Sequence, residues 1–123
     1  GGPVALDSAL GLAVATGVDG GAEPPGWRRV VGRLGLVDLD AEPQEMAPVL
    51  SRLRIFAGYA GWSAGQLEDE LRDGAWYVVA PDPGGGYADA FSTQPDRLWR
   101  AVLRRQGGDL AMVSTYPADP SLN

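Results

Sequence analysis

The stretch that decides the fold lies at residues 56–81 and reads FAGYAGWSAGQLEDELRDGAWYVVAP. Apolar side chains occupy alternate positions from residue 53 to residue 59, which predicts a strand that ends near Gly61. Aromatic and β-branched side chains fill residues 76–80, between Gly74 and Pro81, and predict a second strand. The residues between the two predicted strands carry the signals of a short helix.

Ser63 and Gln66 mark the start of that helix, because Ser followed three residues later by Gln has the form of a capping box. In such a box the hydroxyl accepts an N–H of the first turn, and the Gln side chain reaches back to the backbone N–H of Ser63. Glu68 stands four residues before Arg72, the favourable order for an ion pair, and Gly74 is placed to end the helix. The sequence therefore predicts a helix over residues 64–73 that bridges the two strands.

Several segments carry a family resemblance. They are GYAGW at residues 58–62, GQLEDEL at 65–71, GAW at 74–76, GGPV at 1–4 and LWRAVLRRQGG at 98–108. Together they resemble the signature of the YqgE/AlgH family, bacterial proteins of unassigned function, in its actinobacterial form. Members of that family have an N-terminal region before the GGP turn, so the resemblance implies one YqgE/AlgH-like domain over residues 1–123 that lacks this region.

The same resemblance implies a surface or pocket built from the motif residues. The candidates are Gly1, Gly2, Pro3, Gly58, Tyr59, Gly61, Trp62, Gln66 and Glu68. It also implies a regulatory role, because AlgH-type members are named as regulators of alginate synthesis. No DNA-reading element is visible in the sequence, so such a role is expected to act through a partner.

Three residue types are missing from the 123 residues: His, Cys and Lys. Without them the chain cannot form a Ser-His or Cys-His nucleophile, a Schiff base, a thiolate or imidazole zinc site, or a phosphate-binding loop lysine. Only carboxylate, hydroxyl and arginine chemistry remains. The sequence therefore predicts no cofactor and favours a non-enzymatic protein over an enzyme.

The densest group of carboxylates is Asp38, Asp40, Glu42 and Glu45. One interpretation is a divalent-cation or acid–base site, which needs several converging oxygens or two carboxyls held apart. The other is that Asp40 caps a short helix whose dipole favours acidic residues in the first turn. The second interpretation is preferred because the spacing of a calcium-binding loop is missing, and no metal site is predicted.

A basic helix face is the third candidate. Residues 93–96, TQPD, predict a helix start, and Gly107 with Gly108 predict its end, which gives a helix from Pro95 to Gln106. Arg97, Arg100 and Arg104 fall within an arc of about 60° on it, opposite an apolar side. These arginines are candidate phosphate contacts, but the net charge of −6 repels a polyanion and argues against nucleic acid.

The predicted architecture is α+β, with a mixed sheet of about five strands and two or three helices packed on it; a three-layer α/β arrangement is the alternative. Further strands are predicted near residues 11–15, 27–31, 34–39 and 110–113. Trp76 and Trp99 lie on predicted apolar faces and are expected in the core.

Three functions remain open. The first is a non-enzymatic cytoplasmic interaction or regulatory protein with a protein partner. The second is a small-molecule-binding protein or carboxylate-dependent enzyme that uses the GGP and GYAGW turns as a pocket. The third is a nucleic-acid-binding protein that uses the three arginines. No apolar run approaches the roughly 20 residues of a membrane span, so no membrane partner is predicted.

Overall fold

The computed structural model describes residues 5–18, 21–82, 87–117, 119 and 121. The chain divides into two compact units, Gly1–Gln66 and Leu67–Asn123. The assignment of residues 1–123 to a single domain stays a prediction.

The first unit contains one four-stranded sheet. Its strands are β1 (Ala9–Ala15), β2 (Trp27–Val31), β3 (Leu34–Val37) and β4 (Leu50–Ala57). The spatial order is β2-β3-β1-β4, and all three pairs are antiparallel. The α+β class is thereby confirmed, as are the four predicted strands of this unit. This sheet has four strands where about five were predicted, and every pair is antiparallel where a mixed sheet was predicted, so the three-layer α/β alternative does not apply.

Small residues on β1 and β3 make room for one large ring, that of Trp27. Ala13 lies directly opposite Gly35, and a side-chain carbon on Gly35 would come within 2.4 Å of the Trp27 indole. The indole is almost fully buried, at 3% exposure, and its Nε1–H donates to the Ala13 carbonyl at 3.2 Å. The apolar cluster around it comprises Ala13, Ala15, Val18, Trp27, Val37 and Met46. This unit therefore has a hydrophobic core of its own.

A short helix supplies one member of that cluster. Helix α1 (Pro43–Met46) begins with a proline, which suits a first helical position, and is followed by a 3₁₀ turn over Ala47–Val49. Met46 is buried against the sheet. Its flexible thioether side chain fills the space beside Gly26, where an added carbon would meet the Met46 sulfur at 2.7 Å.

Helix α2 (Gln66–Arg72) follows β4 and is shorter than the predicted helix over residues 64–73. The side chain of Gln66 accepts the Ser63 backbone N–H at 3.1 Å, which is one half of the predicted capping box. The Ser63 hydroxyl donates to the same Gln66 oxygen at 3.1 Å. The predicted Glu68–Arg72 pair is replaced by a contact of 2.6 Å between Arg72 and Asp69, one residue closer along the chain.

Gly74 ends α2 as predicted. It has φ +75°, the left-handed region that suits glycine. The Gly74 N–H donates to the Leu71 carbonyl at 3.1 Å, and the Ala75 N–H donates to the Glu70 carbonyl at 2.9 Å. This pair of bonds is a Schellman motif, which satisfies carbonyls that the helix end would otherwise leave open.

The second unit is helical beyond α2. A 3₁₀ turn at Ala88–Phe91 precedes helix α3 (Pro95–Gln106), and helix α4 (Gly108–Val113) contacts it. The predicted bounds of α3 are confirmed, with proline in its first turn and Gly107 at φ +76° at its end. Across the described ranges, no helix is long and apolar enough to cross a membrane.

The predicted strand at residues 76–80 is wrong. The segment has no regular secondary structure, and a side chain takes the place of a partner strand. The Ala80 N–H donates to Gln106 Oε1 at 3.0 Å, and Gln106 Nε2 donates back to the Ala80 carbonyl at 3.2 Å. A β-rich composition is therefore not enough for a strand, since a ladder also needs a second backbone in register.

The predicted strand at residues 110–113 is also wrong, because these residues belong to α4. Gly107 and Gly108 both have positive φ, which turns the chain sharply after α3. Leu, Ala and Met are good helix formers, and an apolar run this short fits a helix as well as a strand.

Candidate functional site

The turn after β4 holds four of the nine family-motif candidates, at residues 58–62. Gly58 is buried with φ +77°, and its N–H donates to the Ser8 carbonyl at 2.6 Å, which fixes the chain as it leaves the sheet. Tyr59 and Trp62 beyond it are both exposed. A side chain on Gly61 would meet no atom within 4 Å, so this position lies in open space. The turn thus presents two aromatic side chains to solvent.

The remaining motif candidates do not complete a pocket in the described structure. Gly1, Gly2 and Pro3 lie outside the described residues. Gln66 uses its side-chain oxygen to hold Ser63, and Glu68 is exposed in the first turn of α2. A surface or pocket built from these residues therefore stays a prediction.

The acidic group before α1 forms a turn. An Asp38 carboxylate oxygen accepts the Asp40 N–H at 3.0 Å, and the Asp38 carbonyl accepts the Ala41 N–H at 3.2 Å. The helix cap is Glu42 instead of the predicted Asp40, and its side chain makes no capping bond. Within the described ranges, no three carboxylates are grouped so as to hold a metal ion. The group is explained by chain reversal and a helix start.

An open apolar groove of about 510 Å³ lies in the second unit, and we call it the aromatic groove. One wall is the segment after α2, with Ala75, Trp76, Tyr77 and Val79. The other wall is α3, with Pro95, Leu98, Trp99, Val102 and Leu103. Four of the nine lining residues are aromatic or proline, so the walls are stiff as well as apolar.

The two tryptophans of the groove are exposed, contrary to the prediction that they lie in the core. Trp76 is 49% exposed and Trp99 is 37% exposed. The Trp76 indole N–H donates to a Glu70 carboxylate oxygen at 2.7 Å, which holds the ring in place at the edge of the groove. The prediction failed because it assigned a second strand to residues 76–80, whose sheet would have covered both rings.

Three arginines lie on the side of α3 opposite the groove. Arg97, Arg100 and Arg104, the predicted phosphate-contact residues, line a second concavity together with Gln94, Asp96 and Trp99. We call these three arginines the basic strip. Trp99 lines both the groove and this concavity, so the apolar and basic surfaces adjoin.

Arg100 is the fixed member of the basic strip. Its Nη2 donates to the Tyr116 carbonyl at 2.9 Å, and its guanidinium lies 4.9 Å from the centre of the Trp99 ring, a cation–π distance. Arg97 and Arg104 are exposed, and among the described residues neither guanidinium group has a hydrogen-bond or ion-pair partner. The strip therefore offers two available guanidinium groups on either side of an anchored one.

Arg105, the next arginine, is excluded from the strip by an internal pair. Its two terminal nitrogens donate to the two carboxylate oxygens of Asp89 at 3.2 and 2.6 Å. This hydrogen bonding raises the pKa of Arg105 above its usual value. The pair fixes the 3₁₀ turn at Ala88–Phe91 to α3.

Sequence reasoning found the basic strip but missed the groove. The two walls of the groove come from different segments of the chain, so the apolar side of α3 alone did not reveal it.

These features define the class of protein: an α+β chain with a tryptophan-centred sheet, an aromatic groove and an adjoining basic strip. A family model described as AlgH-like (DUF179) matches residues 1–111, and the chain belongs to this family. The recognised resemblance is thereby confirmed. The family has no assigned biochemical function.

The relatives agree with this assignment. A UPF0301 protein of Streptomyces coelicolor is 65% identical over the whole chain, and one of Streptomyces avermitilis is 64% identical. The chain spans 62% of the length of each. A crystal structure of a Corynebacterium diphtheriae protein is similar with a TM-score of 0.70 and 37% identity, over 94% of this chain and 59% of that one. All three are actinobacterial proteins.

Proposed function

We propose that the protein is a non-enzymatic cytoplasmic interaction protein that binds a protein partner through the aromatic groove. The observation that carries this proposal is the open apolar groove with two tryptophans and a tyrosine exposed in its walls. Tryptophan, tyrosine and arginine are the residues most enriched where single side chains dominate protein–protein binding energy. Tryptophan and tyrosine both line this groove.

The geometry of the groove favours binding over catalysis. Apart from the Tyr77 phenol, its nine lining residues carry no carboxylate, hydroxyl or guanidinium group that could polarise a substrate. An apolar groove with stiff walls loses little side-chain entropy when it is covered. A regulatory role, including one on transcription, would then be exercised through the bound partner.

Two neighbouring residues allow a matched test. Tyr77 lines the groove and is 62% exposed, whereas Val78, the next residue, is 80% exposed and is not part of the lining. A glutamate at either position is accessible to water, so both variants should remain folded. Only the glutamate in place of Tyr77 puts a charge into the groove.

The experiment is affinity capture with the immobilised chain from a lysate of Streptomyces coelicolor, the source of the 65% identical relative, run with and without nuclease. We expect one or more proteins to be retained equally by the wild type and by Val78→Glu. Tyr77→Glu should reduce their retention roughly tenfold, as expected for a central aromatic contact. Circular dichroism melting curves of the two variants provide the folding control.

Equal retention by all three baits would overturn the groove as the binding surface. Loss of every captured protein on nuclease treatment would favour nucleic acid over a protein partner. Capture of no protein would contradict this proposal and would favour a small-molecule ligand at the turn of residues 58–62.

A further inference from the structure

The concavity at the basic strip gathers positive charge on a chain that is negative overall. Its volume is about 690 Å³, and it is lined by the three arginines of the strip and by four further residues, of which Asp96 is the one that carries a charge. The lining is therefore positive by two charges, whereas the whole chain carries −6. A local reversal of the sign of the charge attracts anions to that part of the surface.

The arginines of the strip repel one another. They stand three and four residues apart along α3, and like charges at these spacings destabilise a helix. Arg105 on the same helix shows how such a charge is compensated, since an Asp89 carboxylate oxygen lies 2.6 Å from its guanidinium. Among the described residues, no carboxylate does this for Arg97 or Arg104. An anion bound between these two arginines would therefore stabilise α3.

Arg100 adds an oriented group between them. Its bond to the Tyr116 carbonyl at 2.9 Å and its cation–π contact with Trp99 at 4.9 Å hold the guanidinium in place. A guanidinium has five N–H donors in one plane, and the Tyr116 bond occupies one of them. A pair of the remaining donors matches the two oxygens of a carboxylate or phosphate. Because the group is already fixed, it loses little side-chain entropy when an anion binds.

The short length of the strip favours a small anion. Arg97 and Arg104 are seven residues apart, which is a rise of about 10 Å along the helix. Acidic residues flank the strip along the chain, with Asp96 immediately before it and Asp109 in the first turn of α4. A nucleic acid extends its charge well beyond this length, and the net charge of −6 opposes it. A molecule with two or three anionic groups needs no further basic surface.

We propose that the basic strip is a binding site for a small polyanion, a molecule with two or more phosphate or carboxylate groups held by Arg97, Arg100 and Arg104. This inference is independent of the proposed function, because the three arginines lie on the side of α3 opposite the aromatic groove. It gives the chain a second binding surface with a ligand of different chemistry.

The test is isothermal titration calorimetry of the full chain with inorganic diphosphate, inorganic phosphate and citrate. We expect diphosphate to bind about fivefold more tightly than phosphate, because its second phosphoryl group reaches another guanidinium. Raising the salt from about 20 mM to about 200 mM should remove most of this advantage, since the ion pairs are exposed. Whichever of diphosphate and citrate binds more tightly identifies the anionic group that the strip prefers.

Two double variants locate the effect. Arg97→Gln with Arg104→Gln should weaken diphosphate binding about tenfold, because two of the three guanidinium groups are lost. Arg28→Gln with Arg52→Gln makes the same change in net charge at two exposed arginines of the first unit and should retain binding. Diphosphate should raise the melting temperature of the wild type and of this control by a few degrees, but not that of the strip variant. Circular dichroism measures the melting and confirms that both variants fold.

Three results would overturn the site. The first is that neither diphosphate nor citrate binds the wild type. The second is an equal loss of binding in both double variants, which would assign the attraction to net charge instead of the strip. The third is that a short single-stranded oligonucleotide binds through Arg97 and Arg104 while diphosphate does not, which would assign the strip to nucleic acid. The proposed function is decided separately, by the capture experiment with Tyr77→Glu.

Discussion

The two units of the chain use the same residue type in opposite ways. In the first, Trp27 is buried at 3% exposure and its indole N–H donates to the backbone of β1, two strands away in the sheet. In the second, Trp76 and Trp99 are 49% and 37% exposed and line an open groove. Of the second unit's described residues, the only one that is buried is a serine, Ser114.

This difference separates stability from recognition. The first unit buries a cluster of apolar residues against its sheet, which is the usual source of folding free energy. The second leaves comparable side chains at its surface, where they contribute less to folding and are available to a partner. Substitutions in the two units should therefore differ in size and in what they change.

The largest expected effect is on the first unit. Trp27→Ala should reduce the free energy of unfolding by about 3–5 kcal/mol, because it removes a buried ring and leaves a cavity. Urea unfolding followed by far-UV circular dichroism measures the change. Trp99→Ala, the counterpart in the groove, should reduce it by about 1 kcal/mol, since the ring is partly exposed and alanine favours the helix. Equal losses for the two variants would remove the distinction between the units.

Two glycines of the first unit, one in its core and one at its surface, allow the same comparison of buried and exposed positions. Gly35→Ala places a carbon 2.4 Å from the Trp27 ring and 2.5 Å from the Arg28 carbonyl, so the strand or the ring must move. We expect a loss of about 1–3 kcal/mol from this overpacking. Gly61→Ala is the matched control, because nothing lies within 4 Å of its added carbon and its φ is not in the left-handed region. A neutral Gly35→Ala would mean that the ring does not pack against this glycine.

The sequence predicted most of the first unit because its signals are local. Each of the four strands has its own apolar pattern and turn residues, and small residues on β1 are visible beforehand. The helix α3 has a proline at its start and two glycines at its end, so its bounds were predictable too. Local patterns of this kind need no knowledge of distant contacts.

The second unit was predicted less well because its outcome depends on partners. Residues 76–80 have the composition of a strand, yet the Gln106 side chain pairs with Ala80 where a second strand was expected. Whether Trp76 and Trp99 are covered depends on that missing strand. The groove was therefore invisible to any pattern confined to one segment.

The smallest expected effect tests whether exposure alone explains the contrast. Val78→Thr changes a valine that is 80% exposed into a residue of nearly the same shape, and we expect the free energy of unfolding to stay within about 0.5 kcal/mol of the wild type. Val37→Thr makes the same change at a buried valine of the first unit's core and should lower it by about 1–2 kcal/mol, because the hydroxyl is desolvated. Thermal and urea unfolding of the two variants give the comparison. A loss at Val78 as large as that at Val37 would show that residues 76–80 contribute to folding as a core strand does, and the groove beside them would then be a structural gap instead of a recognition surface.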